Sequence, residues 1–439
     1  MARRFKRPSL TAELQQVTIE KLVHGGQGLA TLADGRKVFV WNALPGETLD
    51  VRLIKAKKSY AEAIAEDITT PSVERLEPQE ANYLATSPWQ MMTYQAENKY
   101  KGEIVAELFE HEKVVLPAIP PVVHDDRQWA YRSKMEYSFW GDDDGLHLAL
   151  HQRGSHGKQI VQGSKLAMAA VDAAANAICA QLNTLGVRAG ELKTIIVRCT
   201  QAGQAAAALF VKGDDFKELT LPPELAGLRV YHSNPQSPAS VPTRLLYELG
   251  DCLLHDELLG KKFVYDVDSF FQVNLPVFEK ALQVIRDHVM QDIADEQAAL
   301  TDMYAGVGSI GLSVARGPAT LVELDPASVR MAAQNSQANL QADGPGATVV
   351  EASTEKALDY ITGDGPVIFD PPRAGLHDKV VERVLDQKPP QIIYLSCNPA
   401  THARDLAKLQ QNYTFEHFQV FNFFPRTPHI ETLAVLKIR

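Results

Sequence analysis

From about residue 266 to the carboxyl terminus, short apolar runs alternate with amphipathic segments, and this rhythm fixes the fold class of that part of the chain. FEKALQVIRDHVMQDIA, SVRMAAQNSQANLQ and ATHARDLAKLQ carry helical periodicity. LTDMYAG, TLVELD, PVIFDPP, QIIYLSCNP and TLAVLKI read as buried strands between them. Strand–helix alternation of this kind builds a doubly wound α/β domain with a mainly parallel sheet, whose ligands bind beyond the carboxyl ends of the strands.

At 439 residues the chain exceeds one ordinary core. Residues 10–70 are expected to form an OB-like β-barrel. There, alternating runs (VTIEKLV, KVFVWNAL, LDVRLIKAKK, YAEAIAEDI) are separated by the turns HGGQG, ADGR and LPGE. A mixed α+β central domain is expected over 75–265, with its segment 93–124 packing on the catalytic domain, which spans 266–439. Tyr94–Glu112 and KLAMAAVDAAANAICAQLNTLG read as helices, the second making Cys179 a core thiol.

Net charge is −10, yet residues 1–60 carry eleven Lys and Arg against five Asp and Glu. A basic amino-terminal module on an acidic body suits phosphate-rich partners. The four cysteines form no CxxC, which argues against a zinc ribbon or a disulfide framework and suits a reducing cytoplasm. The basic start MARRFKRPS lacks a following apolar stretch, so no signal peptide is expected, nor any membrane partner.

DMYAGVGSIGL places Gly306, Gly308 and Gly311 in a G-x-G-x-x-G pattern after a strand, with Glu323 and Asp325 closing the next strand. A dinucleotide or a nucleoside-type methyl donor satisfies this pattern equally, since both want close backbone approach and a ribose-binding carboxylate. IFDPPRAGL then sets Asp370 and two prolines at a strand end. Arg373 stands where an aromatic residue would stack on a base in amino-group methylation, which disfavours that reaction.

Cys397 closes QIIYLS and precedes Asn398, a capping type, and Pro399, which suits a first helical position. A thiol facing helix amides is expected to favour its anion, with Arg404 adding to the effect. Such a thiolate suits attack on carbon 6 of a uracil, which loads electron density onto carbon 5. The chemistry then needs a base for the carbon-5 proton. Glu431, at the mouth of TLAVLKI, is one candidate and His429 its rival.

Together, FFQVN (Phe270–Asn274), DMYAGVGSIGL, FDPPRAGL, YLSCNPATHARDL and TPHIET resemble the RNA uracil-C5 methyltransferase family, in family order. The amino-terminal barrel resembles a TRAM domain, which points to the ribosomal RNA branch of the family. The resemblance implies a Rossmann-like class I methyltransferase domain using S-adenosylmethionine and an RNA substrate, 23S ribosomal RNA being favoured. The transfer RNA uracil-54 branch is the alternative; an NAD-dependent oxidoreductase and a non-catalytic RNA-binding assembly factor are remoter ones. It also implies Cys397 as nucleophile and Glu431 as proton-abstracting base. Gln272, Tyr304, Gly306, Gly308, Ser309, Glu323, Ser353 and Asp370 would surround the donor, with Gln272 and Asp370 also close to the uracil. Arg132, Lys134, Phe270 and Arg373 would meet the RNA, and HQRGSHGKQI, with His151, Arg153 and His156, would extend that surface. Many ribosomal RNA members hold a four-iron cluster through cysteines. Here Trp89 and Ser164 stand near two of those positions, so no cluster is expected and apolar packing around Trp89 and Met91 is expected instead. The enzyme is expected to act as a cytoplasmic monomer.

Overall fold

The computed structural model describes residues 14–151, 153, 157–237, 240–292, 299–339 and 346–439, so His156 and the first residues of the expected barrel lie outside it. The chain forms two compact units. One takes in the described residues of 1–104, 150–159 and 424–429; the other holds 105–149, 160–423 and 430–439.

In the first unit, β1 (Gln15–Thr18), β2 (Lys21–Leu22), β3 (Gly28–Thr31), β4 (Lys37–Trp41), β5 (Thr48–Ala56) and β6 (Tyr60–Thr70) make one sheet in the order β1-β5-β6-β4-β3-β2. Every second residue points inward, so Val38, Val40, Leu49, Val51, Ala61 and Ala63 share a closed apolar core. Past the short α1 (Tyr83–Thr86), the region begins α2 (Tyr94–His111). Trp89 is fully buried, and its indole N–H donates to the Gly26 carbonyl at 3.1 Å. Gly26 has φ +94°, and a β-carbon there would lie 2.4 Å from Pro428, so only glycine fits this crossing. The packing around Trp89 and Met91 is not purely apolar. Glu97 and Lys101, both without exposed side-chain area, pair at 3.0 Å, and the Arg426 N–H reaches both Glu97 oxygens at 3.0 Å.

Beyond the barrel the chain forms two large sheets. The central one runs β13 (Arg244–Gly250), β12 (Gly227–His232), β11 (Ala205–Val211), β10 (Leu192–Cys199), β7 (Lys134–Asp142), β8 (Gly145–His151) and β9 (Lys158–Ile160). Helix α3 (Ala169–Thr184) packs on it and buries Cys179, as its periodicity predicts. A hairpin, β14 (Leu253–Leu258) and β15 (Lys261–Asp266), leads into α4 (Leu275–Asp292).

The third segment alternates β16 (Leu300–Asp302), α5 (Gly311–Val314), β17 (Ala319–Glu323), α6 (Pro326–Asn339), β18 (Ala347–Glu351), β19 (Val367–Phe369), α7 (Asp378–Gln387), β20 (Gln391–Ser396), α8 (Pro399–Leu409), β21 (Tyr413–Phe421) and β22 (Glu431–Ile438). Its sheet runs β18-β17-β16-β19-β20-β22-β21. The pairs from β18 to β20 are parallel, and β22 inserts antiparallel between β20 and β21. The chain leaves β16 in one direction and returns through β19 on the other side. A crevice therefore opens beyond the carboxyl ends of these two strands.

Candidate active site

Asp302 ends β16 at that crevice, fully buried, and its carboxylate accepts the Gly311 N–H at 2.9 Å. Burial lifts its pKa to about 7. This residue ties the glycine turn to the strand, a role the pattern of glycines alone did not disclose. Gly306 and Gly308 have φ +55° and +85°, and a β-carbon on Gly308 would lie 2.7 Å from Leu312. Glu323 accepts the Gly306 N–H at 2.8 Å on one oxygen and those of Leu324 and Asp325 at 2.7 Å on the other. Its carboxylate is thereby fixed at the end of β17, with Leu324 exposed beside it. Tyr304 is partly buried, and burial raises its phenol to about 12. Ser309 sits partly buried in the same turn, and Ser353 precedes the short 3-10 turn Thr354–Lys356 beyond β18. The residues lining this end of the sheet suit a nucleoside-type ligand: small residues, a fixed acid and an apolar neighbour.

Asp370 follows β19 directly, and its carboxyl is raised to about 7 by burial and then by Asp302. Cys397 follows β20 and is the one partly exposed cysteine of the four. The turn behind it forms as the residue types predict. The Asn398 side chain caps α8 by accepting the Ala400 N–H at 3.2 Å, and Pro399 opens the helix. The expected thiolate does not follow. Burial, then the charges of Glu431 and Asp370, push the Cys397 thiol up to about 12, and Arg373 opposes them. Arg404 is no help to the thiol, since it pairs with the buried Asp405 at 2.7 Å. The resting site therefore holds a protonated thiol: burial and two acids outweigh the helix amides.

Glu431 opens β22, buried to 3% exposure, and burial followed by Asp370 raises it well above the ordinary carboxylate range, again against Arg373. Cys397, Glu431, Asp370 and Arg373 thus lie within one another's electrostatic reach. His429, the rival base, belongs to the first unit, where its ring packs edge-on to Phe424.

Ahead of α4, the FFQVN segment alternates sharply. Phe270 is 62% exposed, Phe271 is buried in a parallel stack on Tyr265 at 4.1 Å, and Gln272 is buried. Arg198, buried in β10, donates to the Phe271 carbonyl at 3.2 Å. Lys134 lies opposite Arg198 in the ladder, and Arg132 donates to the Lys134 carbonyl at 3.1 Å. Lys134 is more enclosed than a solvent-facing base; burial and then Arg198 lower its pKa to about 8. In the first unit, the Arg153 guanidinium stacks over Trp41 at 4.1 Å, and His151 ends β8 exposed. Ser164 is buried and its N–H donates to Asp172 at 3.1 Å. Among the described residues, no helix is long and apolar enough to cross a membrane.

Comparison with known proteins agrees with this geometry. Residues 356–439, which hold Asp370, Cys397 and Glu431, match the tRNA (uracil-5-)-methyltransferase family model, and residues 8–65 match the TRAM domain. An uncharacterized RNA methyltransferase of Nitratidesulfovibrio vulgaris is 29% identical, covering 96% of this chain and 95% of its own. One of Thermotoga maritima is 26% identical over 96% and 99% of the two chains. In structure, the tRNA (uracil-54, C5)-methyltransferase of Pyrococcus abyssi, solved with S-adenosyl-L-homocysteine, superposes with a TM-score of 0.74. It is 20% identical and covers 96% of this chain and 99% of its own, a likeness of fold. Over its whole length the chain is thus similar to RNA methyltransferases, its carboxyl-terminal residues matching the uracil-5 family model and its amino-terminal residues the TRAM domain.

Proposed function

We propose that this enzyme uses S-adenosylmethionine to methylate carbon 5 of a specific uridine in RNA, with 23S ribosomal RNA as its substrate. The observation that carries the reading is the coupling of a thiol, two carboxyls and an arginine at the carboxyl edge of β19 and β20 and the start of β22. Glu323, the glycine turn, Tyr304, Ser309, Ser353, Gln272 and Asp370 would hold the donor, whose sulfonium supplies an electrophilic methyl group. Phe270, Arg132, Lys134 and Arg373 would receive the RNA, the exposed Phe270 ring against a base and the cations against phosphates. The TRAM domain favours ribosomal over transfer RNA.

In this reading the Cys397 thiol gives up its proton to solvent and its sulfur bonds to carbon 6, the ring's π pair moving onto the carbon-4 oxygen as an enolate. Carbon 5 of the enolate would then take the methyl group from the donor's sulfonium, whose sulfur would leave as a neutral thioether. Once carbon 5 is methylated, Glu431 takes its proton. The freed pair restores the carbon 5–carbon 6 double bond and expels the thiolate. A raised Glu431 pKa makes it a stronger base than a surface carboxylate.

The test is to incubate the purified protein and labelled donor with ribosomal RNA and with transfer RNA, then map 5-methyluridine by mass spectrometry. Product in 23S ribosomal RNA alone is expected. Product only in transfer RNA would move the substrate to the uracil-54 class, and methylation at another atom would overturn the reaction. Glu431→Gln should accumulate a protein–RNA adduct, because addition proceeds and elimination does not; normal turnover would remove the base role from Glu431.

A further inference from the structure

Helix α8 does more than start at the nucleophile. Its first turns and the capping Asn398 grip, peptide by peptide, the loop that follows the two prolines. The Arg373 carbonyl accepts from Asn398 Nδ2 at 2.8 Å and from Thr401 Oγ1 at 3.2 Å. Arg404 Nη2 donates to the Ala374 carbonyl at 3.0 Å and to that of Leu376 at 3.3 Å. Asp405, wholly buried, accepts the Leu376 N–H at 2.8 Å and the Tyr394 hydroxyl at 2.9 Å on one oxygen. Its other oxygen accepts Arg404 Nε at 2.9 Å. Gly375 sits inside the grip at φ +75°, where a β-carbon would lie 2.6 Å from Asp405 and 2.8 Å from Arg404.

A buried carboxylate with this set of partners is a costly thing to place in a core for packing alone. What it holds is the segment bearing Arg373, a cation whose charge acts on both Cys397 and Glu431. The groups acting on the thiol come from three elements. Glu431 lies on β22, Asp370 after β19 and Arg373 on the gripped loop; the two acids disfavour the thiolate, and Arg373 favours it.

We propose that Asp405 and Arg404 are positioning residues that lock the Arg373 loop onto helix α8 and so keep the Arg373 charge on the Cys397 thiol and the Glu431 carboxyl. This rests on reading Cys397 as the nucleophile, yet the experiment below needs neither RNA nor methyl donor. Its failure would therefore leave that reading standing.

Iodoacetamide alkylation supplies the readout, because Cys397 is partly exposed while Cys179, Cys199 and Cys252 are buried. The rate at Cys397 is followed against pH in the full chain, peptide by peptide. Asp405→Asn should slow alkylation about tenfold at fixed pH, equivalent to one pKa unit. Arg373→Ala should slow it similarly. The double variant should be no slower than Arg373→Ala alone, because Asp405 acts through Arg373. Additive losses, or an unchanged rate in Asp405→Asn, would overturn the proposal. Alkylation of the three buried cysteines would report a lost fold. In that case the same cycle is run with Arg404→Lys, which removes the forked grip on the Ala374 and Leu376 carbonyls from a partly exposed side chain. The same two outcomes decide it.

Discussion

His402 lies one turn into α8 from Cys397 and is wholly buried. Its Nδ1 shares a hydrogen bond of 2.7 Å with the hydroxyl of Thr432, the residue after Glu431, and its ring lies 4.2 Å from that of Tyr394. Burial holds its pKa down to about 3, against 6.5 for an ordinary histidine. The folded value lies below the unfolded one. As pH falls through 6.5, the unfolded chain therefore takes up a proton that the native ring refuses, and stability is lost progressively until about pH 3. At pH 5 the gap amounts to about 1.5 pKa units, or ~2 kcal/mol, roughly a thirtyfold change in an opening equilibrium. Asp302 and Asp370, raised to about 7, act in the opposite sense, gaining stability on acidification. The diagnostic quantity is therefore a difference. Native-state hydrogen exchange of peptides covering β20 and β22, corrected for intrinsic rates, is measured at pH 7.5 and 5.0 in the wild type and in His402→Gln. Wild-type protection should fall about thirtyfold more than that of the variant. Parallel responses would show that His402 titrates normally in the native state and would refute the argument.

Three other outcomes follow from buried charge. With the Cys397 thiol at about 12, its thiolate fraction at pH 8 is about one in ten thousand, roughly a thousandfold below that of a thiol at 9.0, so alkylation of the resting enzyme should be correspondingly slow. Glu431→Gln should raise that rate by removing one of the charges that oppose the thiolate, and an alkylation midpoint near pH 9 in the wild type would contradict this. Glu97→Gln should destabilise the first unit by about 3–5 kcal/mol, because it strips a buried lysine and arginine of their common counter-charge. Urea denaturation measures this, and a loss under about 1 kcal/mol would mean that the pair is not shielded from water.

The elements with strong periodicity were legible. Helix α2 was expected over Tyr94–Glu112 and runs Tyr94–His111, and the strand QIIYLS ends before Cys397 with α8 opening at Pro399. What escaped the sequence was the pairing of the central region. There β11, AAAALFV, is buried at every residue, so no alternation marks its faces. The strand β21 escaped as well. It is the outer edge of a sheet entered antiparallel, and its Phe-rich run shows neither a clean period of two nor the parallel rhythm of its neighbours. The basic module was visible as charge. Its tie between Trp89 and Gly26 was not, because a hydrogen bond across 63 positions leaves no local trace.

The site divides along the same line. Residues whose role follows from a local pattern could be named from the sequence: glycines in a turn, an acid at a strand end, a cap before a proline. Their ionisation could not, because it is set by groups distant in the chain. Cys397 illustrates the point. Its cap and helix start formed as expected, and local chemistry alone argued for a thiolate. Glu431 and Asp370, brought to it by β22 and β19, reverse that expectation and leave Arg373 as the opposing charge. A thiol kept protonated at rest is protected from adventitious oxidation and alkylation, both of which need the anion. Reactivity then has to be released by whatever changes the charge balance around it. That makes Arg373, and the buried carboxylate of Asp405 that holds its loop, the place where a bound anion would act on the Cys397 thiol. A phosphate drawing the Arg373 guanidinium away would raise the thiol further, whereas one that leaves it seated keeps its full effect. Cys397 alkylation measured with and without a short uridine oligonucleotide separates the two. Asn398 and Thr401 are both bonded to the Arg373 carbonyl, so the loop backbone should stay in place, and the fraction of Cys397 that the oligonucleotide leaves uncovered should keep its alkylation rate.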